Sequence, residues 1–203
     1  MRLMPREKKV YQFLCKTKMP MTTSAIAKMF YLENNTMTSA LVIANRRLNK
    51  MVEEGYLDRL NRKFGEKAIY YCGKQPNRQQ LRHKIIMTDF IAELVANQFK
   101  LIDCRFEYAL PEKYGIRSDI FITVEYNSKL YYLFVEVDVT KEFNEKYVEL
   151  IKDIERGLFK TKYPVFIVSI SDFKINNETI KKSVIQIDTD LNNFNKILWK
   201  FIK

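Results

Sequence analysis

The run YYLFVEVDVT, residues 131–140, leaves this chain few ways to fold. Tyr131, Tyr132, Leu133, Phe134, Val135, Val137 and Val139 are aromatic, leucine or β-branched, the composition of a strand in a buried sheet. Glu136 and Asp138 interrupt it two residues apart. Alternate side chains on a strand share a face, so both carboxylates point the same way. A core strand with two like charges on one face needs something positive beside them.

The surrounding sequence supplies the rest of a sheet. CRFEYAL and IRSDIFITVEY read as strands, and NSK as the turn into residues 130–140, which makes a β-hairpin. EFNEKYVELIKDIERGLF (142–159) has the periodicity of a helix. YPVFIVSIS (163–171) is short and nearly all apolar, as a strand covered on both faces would be. SVIQIDTDL reads as a further edge strand and NNFNKILWKFIK as a terminal helix. Before the first strand, QLRHKIIMTDFIAELVANQF is an amphipathic helix. The second part of the chain is therefore expected to run α, β, β, β, α, β, β, α, a mixed sheet flanked by helices. His83, the only histidine, has no second His or Cys near it, and a structural role is expected for it.

A hairpin turn near 127–129 would pair residues whose numbers sum to about 256. Glu136 then faces about residue 120 and Asp138 about 118, with Asp119 close to both. Three carboxylates in one place suit a hard divalent cation, Mg2+ or Mn2+, which could position a water for phosphodiester cleavage. The other readings are a solvent-facing edge, or pairing with Arg117 and Lys141.

The first part of the chain has a different character. Residues 1–82 hold 17 Lys and Arg against 6 Asp and Glu, whereas residues 83–203 hold 18 of each, so the whole net charge of +11 lies in the first part. A basic module beside a neutral one suggests nucleic-acid binding by the former. REKKVYQFLCKT (6–17), TTSAIAKMF and NNTMTSALVIANRRLNKMVEEG read as three helices. YLDRLNRKFGEKAIYYCG then reads as a hairpin turning at Phe64-Gly65. Three helices followed by a hairpin describe a winged helix-turn-helix, whose third helix reads DNA. At about 100° per residue, Leu41, Ala44, Leu48 and Val52 point inward. Thr36, Ser39, Ile43, Arg46, Arg47 and Lys50 point outward, with Arg suited to guanine and Ile43 to a thymine methyl. Arg62, Lys63 and Lys67 flank the hairpin tip, where a wing meets phosphate. The polar stretch GKQPNRQQ (73–80) marks the domain boundary, giving domains of about 1–75 and 80–203.

The spacing of Asp119, in RSD, to EVD at 136–138 resembles the core of the PD-(D/E)xK nuclease superfamily. That resemblance implies Asp119 and Glu136 as metal ligands, with Asp138 as third ligand or base. The position that is lysine in the superfamily is Asp138 here, and Lys141 or Lys146 stands in reach as a substitute. A basic winged helix, then LRHKIIMTDFIAEL, RSDIF, FVEVDVTKE and a long helix, resembles the replication-relaxation family of plasmid and mobile-element proteins, over about residues 8–170. The residue after E-x-D, often Arg in that family, is Val139 here. The resemblance implies a role in plasmid replication, relaxation or mobilisation.

The expectation is thus an α+β protein: a winged helix-turn-helix followed by a mixed-sheet, restriction-endonuclease-like domain. It binds double-stranded DNA sequence-specifically, as a homodimer, alongside plasmid replication or mobilisation proteins. The alternatives are a Mg2+- or Mn2+-dependent endonuclease or nickase using Asp119, Glu136, Asp138 and Lys141, and a protein-interaction module. Three scattered cysteines, Cys15, Cys72 and Cys104, form neither a disulfide framework nor a zinc pattern, and buried free thiols are expected. No stretch is long and apolar enough for a membrane span, and MRLMPREKKV lacks the apolar core of a signal peptide, so a cytoplasmic protein with no membrane partner is expected.

Overall fold

The computed structural model describes residues 2–60, 67–140 and 147–196. The chain is a mixed α and β protein of two compact units, residues 1–98 and 99–203. Among the described residues no helix is long and apolar enough to cross a membrane.

The first unit runs α1 (Pro5–Thr17), β1 (Met21–Thr22), α2 (Thr23–Phe30), α3 (Met37–Glu53), β2 (Asp58–Arg59), β3 (Ile69–Tyr71) and α4 (Arg78–Ala96). Its three strands form an antiparallel sheet in the order β1-β3-β2. Each helix begins where its sequence supplies a start signal. Pro5 opens α1, and the Glu7 carboxylate accepts the Met4 N–H at 2.6 Å. Thr22 caps α2 and Thr36 caps α3, each through its hydroxyl oxygen. The core gathers Val10 and Leu14 of α1, Ala25 and Ile26 of α2, and Ala40, Ala44, Leu48 and Met51 of α3. Small Ala25, Ala40 and Ala44 let α2 and α3 come close, while Leu48 and Met51 fill the space behind them. Truncating either of those two to Ala would cost about 2–5 kcal/mol.

Two features of this unit correct the sequence reading. The helix α4 belongs here rather than to the second domain, and the boundary falls after it, not at 73–80. Thr88 donates to the Pro20 carbonyl at 3.1 Å, Thr22 donates to Asp89 at 3.0 Å, and Lys28 pairs with Glu93, so α4 is tied to β1 and α2. Second, Cys15 and Cys72 are not free thiols. Folding brings the last turn of α1 beside the end of β3, with 5.0 Å between the two Cα atoms, and the residues form a disulfide. The hairpin tip expected at Phe64-Gly65 lies outside the described residues.

The second unit holds β4 (Lys100–Ala109), a short 3-10 turn (Glu112–Tyr114), β5 (Arg117–Tyr126), β6 (Lys129–Asp138), α5 (Tyr147–Glu155), β7 (Val165–Ser171), α6 (Glu178–Ser183) and β8 (Val184–Ile187). The five strands lie in the order β4-β5-β6-β7-β8. The first three are antiparallel neighbours, whereas β6, β7 and β8 are parallel and joined through α5 and α6. As expected, β7 is flanked on both sides and β8 forms an edge. The short helix α6 was not expected, and α5 ends at Glu155 rather than 159. The expected terminal helix lies mostly outside the described residues.

Asn127 and Ser128 form the whole turn between β5 and β6, both with positive φ (48° and 61°), the conformation of a tight two-residue hairpin. This sets the register one residue away from the expected one. Ile120 pairs with Val135 and Ile122 with Leu133, a sum of 255 rather than 256. One residue further along, that register brings Asp119 beside Glu136. Ile120, Ile122, Leu133 and Val135 are fully buried on one face. On the other face, Phe134 and Ile167 pack with Leu150 and Ile151 of α5.

Candidate functional site

Two places in the molecule concentrate polar chemistry, one in each unit. The first is the outer side of α3. Thr36 and Ser39 lie at its N-terminus, where the Thr36 hydroxyl accepts the Ser39 N–H at 3.2 Å and donates to the Ser39 hydroxyl at 3.0 Å. Both are exposed, but their first task is to cap the helix. Arg46 and Lys50 are exposed as expected. Ile43 is not on the outer face: it packs against the core, with Met37 and Leu41. Arg47 is also turned away from that role. Its guanidinium lies 3.4 Å from the carboxylate of Glu7, whose side chain is only 2% exposed. A buried carboxylate without such a partner would be costly, so Arg47 is committed to α1.

The inward stripe is centred on Ala40, Ala44, Leu48 and Met51. The outward stripe is therefore Thr38, Val42, Asn45, Arg46 and Lys50, all exposed. Val42 is 65% exposed, an aliphatic group standing in solvent at mid-helix. Asn49 lies beside this stripe and accepts from Arg59 of β2 at 2.8 Å, which holds that arginine against α3. Thr38, Val42, Asn45 and Arg59 were missed by sequence reasoning. The step of four residues from Thr38 to Val42 was visible, but the larger apolar side chain of Leu41 drew the predicted inward face one residue away from Ala40.

Of the expected wing contacts, Arg62 and Lys63 lie outside the described residues. Lys67 is exposed just before β3. It lies near Asp89, whose pKa is raised by burial and drawn back down by the Thr22 hydrogen bond and by Lys67 and Lys28.

The second place is the far end of the β5–β6 hairpin. Asp119, Glu136 and Asp138 do lie together on one face. The Asp119 carboxylate accepts the Val137 N–H at 2.8 Å, and the Tyr147 hydroxyl at the start of α5 donates to Glu136 Oε1 at 2.8 Å. Burial, then the charge and hydrogen bond of Asp119, push the Glu136 carboxyl up to about 9. Both causes favour the protonated form of Glu136 over the ionised one. Burial, and then the nearness of Glu136, push the Tyr147 hydroxyl up as well, so it stays a neutral donor. The parallel register sets Ser169 beside Glu136 and Ser171 beside Asp138. Ser169 is fully buried, and its Oγ makes no hydrogen bond among the described residues.

A metal site, or the remnant of one, was the expected answer to these charges. Among the described residues, no group of three or more His, Cys, Asp or Glu side chains is arranged to hold a metal ion. In the described structure Asp119 accepts the Val137 N–H and Glu136 accepts the Tyr147 hydroxyl. These residues do not fit the expected three-carboxylate centre, and no step through a metal is derived from them. Lys141 and Lys146, the expected substitutes for a motif lysine, lie outside the described residues. Compared with known proteins, the chain matches no protein-family model and no curated sequence.

Proposed function

We propose that this is a double-stranded DNA-binding protein, in which the first unit is a winged helix-turn-helix and the outer side of α3 enters the major groove. The observation that carries the reading is that solvent-facing stripe: Thr38, Val42, Asn45, Arg46 and Lys50 stand exposed on one side of a helix whose other side is buried. The chemistry is that of a base-reading surface. Arg46 can pair with guanine, Asn45 with adenine, and the Val42 methyl groups with thymine. Lys50, Lys67 and Arg59 suit phosphate. The order α-β-α-α-β-β of this unit and its excess of positive charge support the same reading. The second unit, by its mixed sheet and its E-x-D strand, is read as a nuclease-like scaffold whose carboxylate pair is held neutral in part. Together these features favour membership of the replication-relaxation family, with a DNA site at a plasmid origin or operator, bound as a homodimer.

The test is binding to a mixed genomic and plasmid DNA pool at several salt concentrations, with sequencing of what is retained. Enrichment of one region, and a fall in affinity with salt whose log–log slope is about −4 or steeper, are expected. Affinity unchanged by Arg46→Ala with Lys50→Ala would sink the reading and leave the unit as a protein-interaction module.

A further inference from the structure

The first unit also carries a cationic cavity that the reading of α3 does not use. It measures about 780 Å³ and is lined by Lys18, Lys74, Gln75, Pro76, Asn77 and Lys84. These residues come from the end of α1, the segment after β3, and the first turns of α4. Local structure fixes two of the three lysines. Lys18 is the C-terminal cap of α1, in the left-handed conformation (φ 56°), with its N–H donating to the Leu14 carbonyl at 2.9 Å. Cys15, one turn earlier, is bonded to Cys72, and Cys72 is followed by Gly73 (φ 81°) and Lys74. The disulfide therefore staples together the two strands of chain that bear Lys18 and Lys74. Lys18 Nζ lies 3.8 Å from where a side chain on Gly73 would begin, so the ammonium is folded over that backbone. Lys84 is half-buried on α4.

Lys18 and Lys74 are exposed and Lys84 is half-buried, so the three positive charges line an opening that solvent reaches. Some basic side chains elsewhere do have acidic partners: Arg47 has Glu7, Lys28 has Glu93, and Lys113 has Asp153. Among the described residues, no carboxylate pairs with Lys18, Lys74 or Lys84. Among the described residues, no acidic side chain lines the cavity, and no aromatic ring offers a platform for a base. Gln75 and Asn77 add amide groups, and α4 points its positive end into the same segment. The volume is that of a small-molecule pocket.

From these features we infer that the cavity binds a small molecule carrying two or three linked phosphates, recognised through the phosphates and not through a base. Three ammonium groups match the charge of such a chain, and a closely spaced polyphosphate lets all three act at once, which single phosphodiesters spaced along a duplex do not. The inference does not rest on the DNA-binding reading.

The probe is sodium tripolyphosphate, titrated calorimetrically into the oxidised 203-residue chain. One saturable site is expected. Lys18→Gln with Lys74→Gln and Lys84→Gln should weaken it by about tenfold or more, whereas Arg46→Ala with Lys50→Ala should leave it unchanged. Lys74→Gln alone changes one exposed side chain, keeps the fold, and should weaken binding by about threefold. No saturable heat with the unaltered protein would overturn the inference, and so would equal weakening by the α3 pair, which would mean generic charge. If duplex DNA displaces tripolyphosphate, and the lysine variants lose DNA affinity by the same factor, the phosphates belong to DNA and the small-molecule assignment falls.

Discussion

The outer side of α3 and the Asp119–Glu136 pair handle charge in opposite ways. On α3 the cations stand in water, where each is well solvated and costs the fold little. At the end of the β5–β6 hairpin two carboxyl groups are pressed together beneath α5, where burial and their mutual charge favour the protonated form of Glu136. An exposed positive stripe is suited to a large polyanion that arrives from solution. A buried acidic pair is suited to something as small as a proton. Arg47 and Glu7 form an instructive middle case: an arginine on the same helix as Arg46 neutralises a buried carboxylate, and so drops out of the exposed stripe.

The strongest way to break this comparison is to loosen the first unit. Reducing Cys15–Cys72, which closes a span of 57 residues, should destabilise that unit by about 4 kcal/mol. Chemical denaturation with and without reductant would show it as a separate shift in the first unit's transition, and no shift would mean that the bond constrains little. Next in size, Arg47→Ala should cost about 3 kcal/mol by stranding Glu7, with DNA affinity nearly unchanged once folded protein is compared. A loss of affinity without a loss of stability would return Arg47 to the reading surface. Arg46→Ala with Lys50→Ala should do the reverse: stability within about 0.5 kcal/mol, affinity down about 10- to 100-fold, and a shallower salt slope, measured by fluorescence anisotropy.

The smallest expected effect concerns Glu136. Its carboxyl titrates near 4.5 when unfolded and is pushed up to about 9 in the fold, so the folded state holds the extra proton between those values. Stability therefore falls as pH rises through that window. Glu136→Gln keeps an oxygen for the Tyr147 hydroxyl and removes the titration. Thermal melts should show the variant more stable by about 1–2 kcal/mol near pH 8 and level with the parent near pH 4. A variant that melts lower at the higher pH would show that Glu136 is ionised there and held by a cation.

Much of the architecture was legible because single residues carried it. Phe134, Val135 and Val137 could hardly sit anywhere but in a buried strand, and the same holds for Ile167, Val168 and Ile170. The pairing of Asp119 with Glu136 was legible too, although the register was misjudged by one because the turn is Asn127-Ser128 alone. What failed depended on contacts distant in sequence. The two-residue strand β1 has no pattern of its own and exists because Met21 pairs with Tyr70. The apolar side of α4 announces a helix but not which unit it packs on. The Cys15–Cys72 bond cannot be read from spacing, since only the folded sheet brings the ends together. On α3 the error was one of scale: a large Leu41 looked more core-like than Ala40, yet close packing of helices favours the smaller side chain.

The link between Cys15 and Cys72 has a further meaning for the chain as a covalent object. Residues 16–71, which include α2, α3 and all three strands of the first sheet, form a closed ring. A protease that cuts once anywhere in that ring opens it without releasing a fragment, so the nicked protein runs as one band until it is reduced and as two afterwards. A cut after residue 72, outside the ring, gives two fragments at once, with or without reductant. Limited proteolysis read on paired unreduced and reduced gels thus distinguishes an accessible bond within the ring from one beyond it.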